Sequence, residues 1–319
     1  MIRTVLNEIL GTEFPIMQGG MSHVSDGRFA AAVSEAGALG IIATAACDGD
    51  YTRKQIRIAR SETKKAFGVN VMLANPATPE IMRTVLDEGV PIVTTGAGSP
   101  APYVKDLLKN GTKVIPVIPH LRAAYKMEGL GVSAVVAEGT ESGGHVGDVN
   151  TITLLPLVTS SVSIPVIAGG GFVDGRGLVA ALAFGACGVQ MGTAFLVTKE
   201  CPISQSYKDV LLEADERATV VTGQGTKDPV RGVRNALTDR YFVLRQAGMS
   251  NEELSKIMAG SLTRAVSGDM KNGSIQTGTS CALLHEIKPL RRMLEDIMFE
   301  TESVLKQLRG WMVSGGRRK

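Results

Sequence analysis

Pro165-Val166-Ile167-Ala168-Gly169-Gly170-Gly171-Phe172-Val173-Asp174-Gly175-Arg176-Gly177-Leu178-Val179-Ala180-Ala181-Leu182-Ala183-Phe184-Gly185-Ala186-Cys187-Gly188-Val189-Gln190-Met191-Gly192-Thr193 holds the plan of the fold. A short apolar run, 165–168, ends in three glycines. A helix-length segment, 176–184, follows and stops at Gly185, where a helix C-cap is expected. A second apolar run, 188–191, then ends in Gly192-Thr193. Neither run alternates apolar with polar residues. Each reads as a strand buried on both faces, as in a parallel sheet covered by helices.

The same unit recurs towards the N-terminus. Strands are expected at 15–18, 39–43, 68–72, 92–95, 113–118 and 134–137, which with the two above makes eight. Helix-length segments at 27–36, 79–88 and 101–110 lie between them, and Gly37, Gly89 and Gly111 stand at their ends as caps. Eight strand–helix units predict a closed parallel (β/α)8 TIM barrel. The competing doubly wound sheet calls for a GxGxxG turn after its first strand, and Gln18-Gly19-Gly20-Met21 lacks that spacing.

The pattern changes after about residue 200. Residues 228–240 are charged and turn-rich, 251–267 read as one helix, and Ile287, Leu290, Leu294, Ile297, Met298, Val304, Leu305 and Leu308 trace the apolar face of another. The expected division is a barrel core over 1–215 and a helical extension over 216–319, packed near the barrel mouth.

The 319 residues are 44% apolar and 20% charged, an ordinary globular composition with material for a sizeable core. A net charge of +3 from mixed charges gives no nucleic-acid footprint, and Arg317-Arg318-Lys319 reads as a solvated end. Cys47, Cys187, Cys201 and Cys281 are scattered, so neither a zinc site nor a disulfide framework is expected. The N-terminal residues lack the apolar core of a signal peptide, and no apolar stretch reaches the roughly 20 residues of a membrane span. A cytoplasmic protein is expected.

In a β/α barrel the loops after the strands form the active-site face. Here they carry Gly19-Gly20-Met21, Asn70, Thr95-Gly96-Ala97-Gly98, Glu138, Ser142-Gly143-Gly144-His145, Gly169-Gly170-Gly171 and Gly192-Thr193. Glycine loops after strands seven and eight are the common barrel phosphate site, with backbone N–H groups and a helix N-terminus facing the anion. His145 stands among glycines at a strand end, where imidazole can donate a proton or stabilise developing negative charge; an exposed loop histidine is the alternative. Glu138 and Asn70 either bind a ligand or satisfy neighbouring backbone. Met21 is a candidate ligand contact among the mouth glycines. His23 is placed near the mouth, His120 at a helix start and His285 at a helix cap. The four histidines have no metal-ligand spacing.

Six segments together resemble the nitronate monooxygenase/enoyl-ACP reductase II flavoprotein family: 14–21, 67–72, 94–98, 137–147, 167–175 and 189–193. The resemblance runs from about residue 5 to 215 and more loosely beyond. It implies a barrel holding FMN, with its phosphate at Gly170, Gly171, Gly192 and Thr193. Gly20, Met21, Ser22, Asn70, Glu138 and Gly143 match flavin-contacting positions, and His145 matches the catalytic histidine. Residues 137–147 and 94–98 look more like the enoyl reductase branch. That branch implies NADH or NADPH as hydride donor, an enoyl-acyl carrier protein as substrate partner, and permits a monovalent cation and a homodimer. Residues 171–177 and 200–203 also resemble nitronate monooxygenases, the alternative activity. Thr279 stands where the reductase pattern expects glutamine, which puts the pocket contacts of 274–279 in question. Arg231, Arg234 and Arg240 are candidates for docking the acidic carrier, with ordinary surface charge as the competing reading.

Overall fold

The structure, a computed structural model, describes residues 2–314, so the basic run 317–319 lies outside the described residues. Its strands are β1 (Ile16–Gln18), β2 (Gly40–Ala43), β3 (Phe67–Met72), β4 (Ile92–Gly96), β5 (Lys113–Ile118), β6 (Val135–Glu138), β7 (Gly144–His145), β8 (Val166–Gly169), β9 (Val189–Met191), β10 (Thr219–Thr222) and β11 (Val230–Val233). Eight of them pair in the order β1-β9-β8-β6-β5-β4-β3-β2, and every pair is parallel. The parallel bridge Met17↔Leu39 joins β1 to the start of β2 and closes the ring. All eight expected barrel strands are present, and Gly37, Gly89, Gly111 and Gly185 end their helices in the left-handed conformation.

Strand alternation divides the core into two shells. Met17, Leu39, Ile41, Ile92, Ile115, Ala134, Val136 and Ile167 fill the barrel interior, and Leu6 and Leu10 of the helix Val5–Leu10 join the same cluster. Val69, Val71, Val93, Val114, Val135 and Val166 point the other way, into the shell beneath the helices. The interior therefore is a packed apolar plug. Two residues further along each strand, the same alternation turns Asn70, Thr94, Glu138 and Gly169 inward at the mouth, above that plug.

The extension differs from the expected helical subdomain. Its first elements, β10 and β11, form an antiparallel hairpin, and β11 also pairs with β7, the strand that carries His145. The turn-rich stretch 228–240 thus contains a strand and the start of the helix Ala236–Gln246. The single helix expected over 251–267 is two, Asn251–Met258 and Ser261–Val266, broken at Gly260 with φ +68°. A left-handed residue cannot continue a right-handed helix.

The long helix Leu290–Ser314 lies on the outside of the barrel. It packs on the barrel helix Gly175–Ala183: the Glu300 carboxylate accepts the Gly175 N–H at 2.7 Å, and Thr301 Oγ1 donates to Gly175 O at 3.4 Å. A Cβ on Gly175 would sit 2.5 Å from both Ile297 O and Thr301 N, so the two helices approach backbone to backbone. His285 does not cap this helix; the Glu200 carboxylate accepts the Leu290 N–H at 3.0 Å instead. His120 does act as a cap, its Nδ1 accepting the Ala123 N–H at 3.1 Å. Gly175→Ala should force the flank helix outward and cost about 1–3 kcal/mol. A lower denaturant midpoint on urea unfolding is the expected readout, and an unchanged midpoint would show that the helix is not held there.

Candidate active site

The site is assembled from the loops at the C-terminal ends of the barrel strands. After β1, Gly20 packs directly on Asn70: a Cβ there would lie 2.5 Å from the Asn70 side chain. The Ser25 hydroxyl accepts the Met21 N–H at 3.1 Å and Gln18 Nε2 at 2.8 Å, which fixes the Gly20-Met21-Ser22 loop over the barrel rim. Asn70 Nδ2 donates to Thr94 Oγ1 at 2.9 Å across the mouth. Met21 Sδ lies 3.8 Å from where a Gly192 Cβ would be, so the loops after β1 and β9 face each other.

Glu138 ends β6, and Gln190 of β9 donates its Nε2 to Glu138 Oε2 at 3.4 Å. Burial pushes the Glu138 carboxyl up to about 7, and the nearby Ser142 hydroxyl pulls weakly the other way. Ser142 Oγ is itself buried and has no partner of hydrogen-bond geometry among the described residues.

Gly170 and Gly171 follow β8 with φ of +89° and +91°. A Cβ at Gly170 would meet Gly139 O at 2.7 Å, so this loop needs glycine both for its dihedral and for its approach to the loop after β6. The anchor is Thr151, whose hydroxyl donates to Glu141 Oε2 at 2.5 Å and lies 3.0 Å from Gly170 O. The N-terminus of the helix Gly175–Ala183 is not open to an anion, because Asp174 caps the Gly177 N–H at 2.7 Å and Glu300 takes the Gly175 N–H. The short helix Thr193–Leu196, which starts at Gly192, has no side-chain cap.

Thr193 shows what the sequence reading missed. Its hydroxyl accepts the Gly278 N–H at 2.9 Å, and Thr279 N–H donates to Glu141 O at 3.0 Å. A Cβ on Gly143 would meet the Thr277 carbonyl carbon at 2.4 Å. Residues 276–279 of the extension are therefore wedged between the loops after β6 and β9. Threonine at 279 keeps its contact to Glu141, since that contact is made by backbone. Gln190 and Thr94 were also missed as site residues, although both lie in the quoted segments; the inward alternation of β9 and β4 was the available signal.

His145 is exposed on β7, opposite Val230 of β11, and Gly144 has φ +72°. Arg231, expected at a docking surface, is instead half-buried: Nε donates to Thr140 O at 3.1 Å and Nη1 to Thr219 Oγ1 at 3.1 Å. Burial lowers its pKa, with Glu141 opposing. Arg234 pairs with Asp239 at 2.7 Å, and Arg240 remains exposed. His23, Ala46 and Ala97 have φ of +60°, +58° and +53° on the loops after β1, β2 and β4. Three non-glycine residues in the left-handed region, all on the mouth face, mark strained loops of the kind that cluster at functional sites. Among the described residues no group of three or more His, Cys, Asp or Glu side chains is arranged to hold a metal ion, and no helix is long and apolar enough to cross a membrane.

The nitronate monooxygenase family model matches residues 3–85 and 79–300. The chain belongs to the nitronate monooxygenase family. It is an oxidoreductase, and members of this family are FMN-dependent flavoproteins. Its backbone matches the structure of FabK from Thermotoga maritima with a TM-score of 0.95 and 43% identity, over 98% of this chain and all of that one. A Mycobacterium tuberculosis relative, (3aS,4S,5R,7aS)-5-hydroxy-7a-methyl-1-oxo-octahydro-1H-indene-4-carboxyl-CoA dehydrogenase, is 38% identical over 242 residues, 75% of this chain and 68% of the relative. A nitronate monooxygenase of Paraburkholderia phytofirmans is 29% identical over 96% of this chain and 97% of its own.

The residues present fit the family's FMN. Asn70, Thr94, Glu138 and Gln190 offer a polar tier above the apolar plug, Ser142 Oγ is a buried hydroxyl near Glu138 without a partner of hydrogen-bond geometry among the described residues, and a side chain at Gly192 would meet only Met21. The Glu138 carboxyl also carries a pH signature. Its folded pKa of about 7 exceeds the ordinary 4.5, so the folded chain holds the proton more tightly than the unfolded one. That stabilisation is complete below the ordinary value and is lost as pH rises through the folded value. Thermal melts of apoprotein from pH 4.5 to 8 should show the wild type losing stability relative to Glu138→Gln as pH increases. A constant difference across that range would refute the raised pKa.

Proposed function

We propose that the protein is an FMN-dependent enoyl-[acyl carrier protein] reductase of fatty acid synthesis. The observation that carries this reading is the likeness to Thermotoga maritima FabK, which extends over the barrel and the extension alike at 43% identity. The dehydrogenase relative supports the substrate class, since its name also specifies a thioester, of coenzyme A. When bound, FMN supplies the relay that passes hydride from NADH or NADPH to the β-carbon of a trans-2-enoyl thioester.

In this reading Gly170, Gly171, Gly192 and Thr193 hold the flavin phosphate. Gly20, Met21, Ser22, Asn70, Glu138 and Gly143 line the ring and ribityl chain. The apolar plug beneath and the extension above keep bulk water from the ring. His145 acts on the substrate. Hydride addition at the β-carbon builds negative charge on the thioester oxygen, and the imidazole stabilises that charge or delivers the proton to the α-carbon. The exposed position of His145 on β7 leaves its ring accessible to an arriving thioester. The carrier protein is the expected partner, a homodimer the expected assembly, the cytoplasm the expected compartment and a monovalent cation a possible requirement. The division into a barrel of 1–215 and an extension of 216–319 belongs to the same proposal.

Nitronate monooxygenase is the second reading, favoured by the near-complete coverage of the Paraburkholderia phytofirmans enzyme. Anaerobic mixing separates the two. NADH or NADPH should bleach the yellow protein, and crotonyl thioester should restore the colour. Bleaching by propionate 3-nitronate, with none by either nucleotide, would transfer the assignment to the monooxygenase. His145→Ala should lower enoyl turnover by about 10²–10⁴ while leaving flavin reduction by nucleotide intact. Full turnover in that variant would remove His145 from the chemistry.

A further inference from the structure

The tier above the barrel plug contains one pairing whose chemistry is unusual. Gln190 points into the barrel interior, because its strand neighbours Val189 and Met191 belong to the outer core. A half-buried inward position of this kind is ordinarily filled by an apolar side chain. The Gln190 amide makes one side-chain hydrogen bond among the described residues, from Nε2 to Glu138 Oε2. A buried amide retained for a single bond to a carboxyl calls for a role at that carboxyl.

The alternatives at this position define the role. A lysine would fix Glu138 as the carboxylate by supplying a countercharge, and a leucine would leave only the protonated form comfortable in its buried setting. The neutral amide donor supports the carboxylate without a charge, so both protonation states remain accessible. It also occupies Oε2, which leaves the other oxygen for a second partner. The side chains around the carboxyl leave the field to burial and hydrogen bonds. Gly169 of β8 lies beside Glu138 in register, and burial and the Ser142 hydroxyl are what act on the carboxyl. In the following loop the Glu141 carboxylate is bound to Thr151, His145 is exposed, and Ser142 presents its hydroxyl.

We infer that Gln190 is a positioning residue: it holds Glu138 through Oε2 so that the second carboxyl oxygen meets the polar edge of the flavin ring. The inference rests on the flavin-binding assignment of Glu138 made above. The pyrimidine edge of a flavin offers one N–H between two carbonyls. An ionised carboxyl oxygen accepts that N–H in a charge-assisted bond, stronger than the one a neutral carboxyl provides. FMN affinity should therefore strengthen as Glu138 ionises.

The test is FMN binding to apoprotein, followed by quenching of flavin fluorescence between pH 5.5 and 8.5. Wild type, Gln190→Met, Glu138→Gln and the double variant are compared. The flavin phosphate ionises identically in all four, so differences between variants read the carboxyl. Gln190→Met removes the donor at similar volume. It should weaken binding at neutral pH by about 3–10-fold and move the pH midpoint upward by about half to one unit. Glu138→Gln should abolish the midpoint difference, and adding Gln190→Met to it should cost nothing more. An unmoved midpoint, or an equal loss from Gln190→Met in both backgrounds, overturns the inference by reducing Gln190 to packing. Wild-type apoprotein that binds no FMN at any pH would instead remove the flavin assignment, and this inference with it.

Discussion

The closed ring of parallel strands is the constraint on which the rest depends. Closure by the bridge Met17↔Leu39 leaves each strand with one face inside, and the period of two then dictates what stands where. The interior can be filled only once, and Leu6, Leu10, Ile41, Ile92, Ile115, Val136 and Ile167 fill its lower part. The next inward position on each strand must then lie at the mouth. Polar residues become admissible there because one side is no longer protein. Asn70 and Thr94 bond to each other, as do Glu138 and Gln190, so the tier needs few outside partners to be stable. A platform that is rigid, polar-edged and dry beneath is suited to a flat heteroaromatic ring.

The extension completes the mouth through backbone contacts. Gly143 and Thr277 approach more closely than any side chain would allow, Thr193 accepts the Gly278 N–H, and β11 supplies the edge on which β7 forms. A two-residue strand such as β7 has no stability of its own. The position of His145 is thus set by residues more than 80 further along the chain. Arg231 reinforces this by bonding Thr140 from the strand beside it. Its half-buried guanidinium is a brace across the loop after β6, which explains why it is unsuited to docking a protein surface.

Much of the barrel was legible because its signals are local. Apolar runs without alternation, glycine at several helix ends and glycine loops after several strands are visible in single segments, and the observed strands follow them within one or two residues. The mouth residues Asn70, Glu138, Gly170, Gly171 and Thr193 were legible for the same reason. The extension was not. The hairpin β10–β11 is stabilised by pairing with β7, a contact far removed in sequence, and its charged composition hid the strand at Val230–Val233. Gly260 was passed over inside a helical pattern, although its left-handed backbone divides the helix. The flank helix had the expected apolar face, but amphipathicity shows only that a helix packs and says nothing of where. Gln190 was overlooked because a lone polar residue in a short strand carries no local sign of its direction until the register is known.

These distinctions bear on how one scaffold serves different oxidations. The polar tier, the glycine loops and the plug fit the family's flavin, and they lie in the part of the chain that the family match covers. A residue that both activities need cannot decide between them. The deciding groups must touch the substrate and not the cofactor, which leaves the rim: the strained loops at His23, Ala46 and Ala97, the wedge 276–279 and His145 on its borrowed strand. A small nitronate needs only access to the ring. A thioester on a carrier also needs a channel for its arm and a histidine free to meet its carbonyl. The extension shapes that side of the mouth, and it lies within the 98% of this chain that the FabK match covers. The extension is therefore the part of the chain in which the two readings would have to differ.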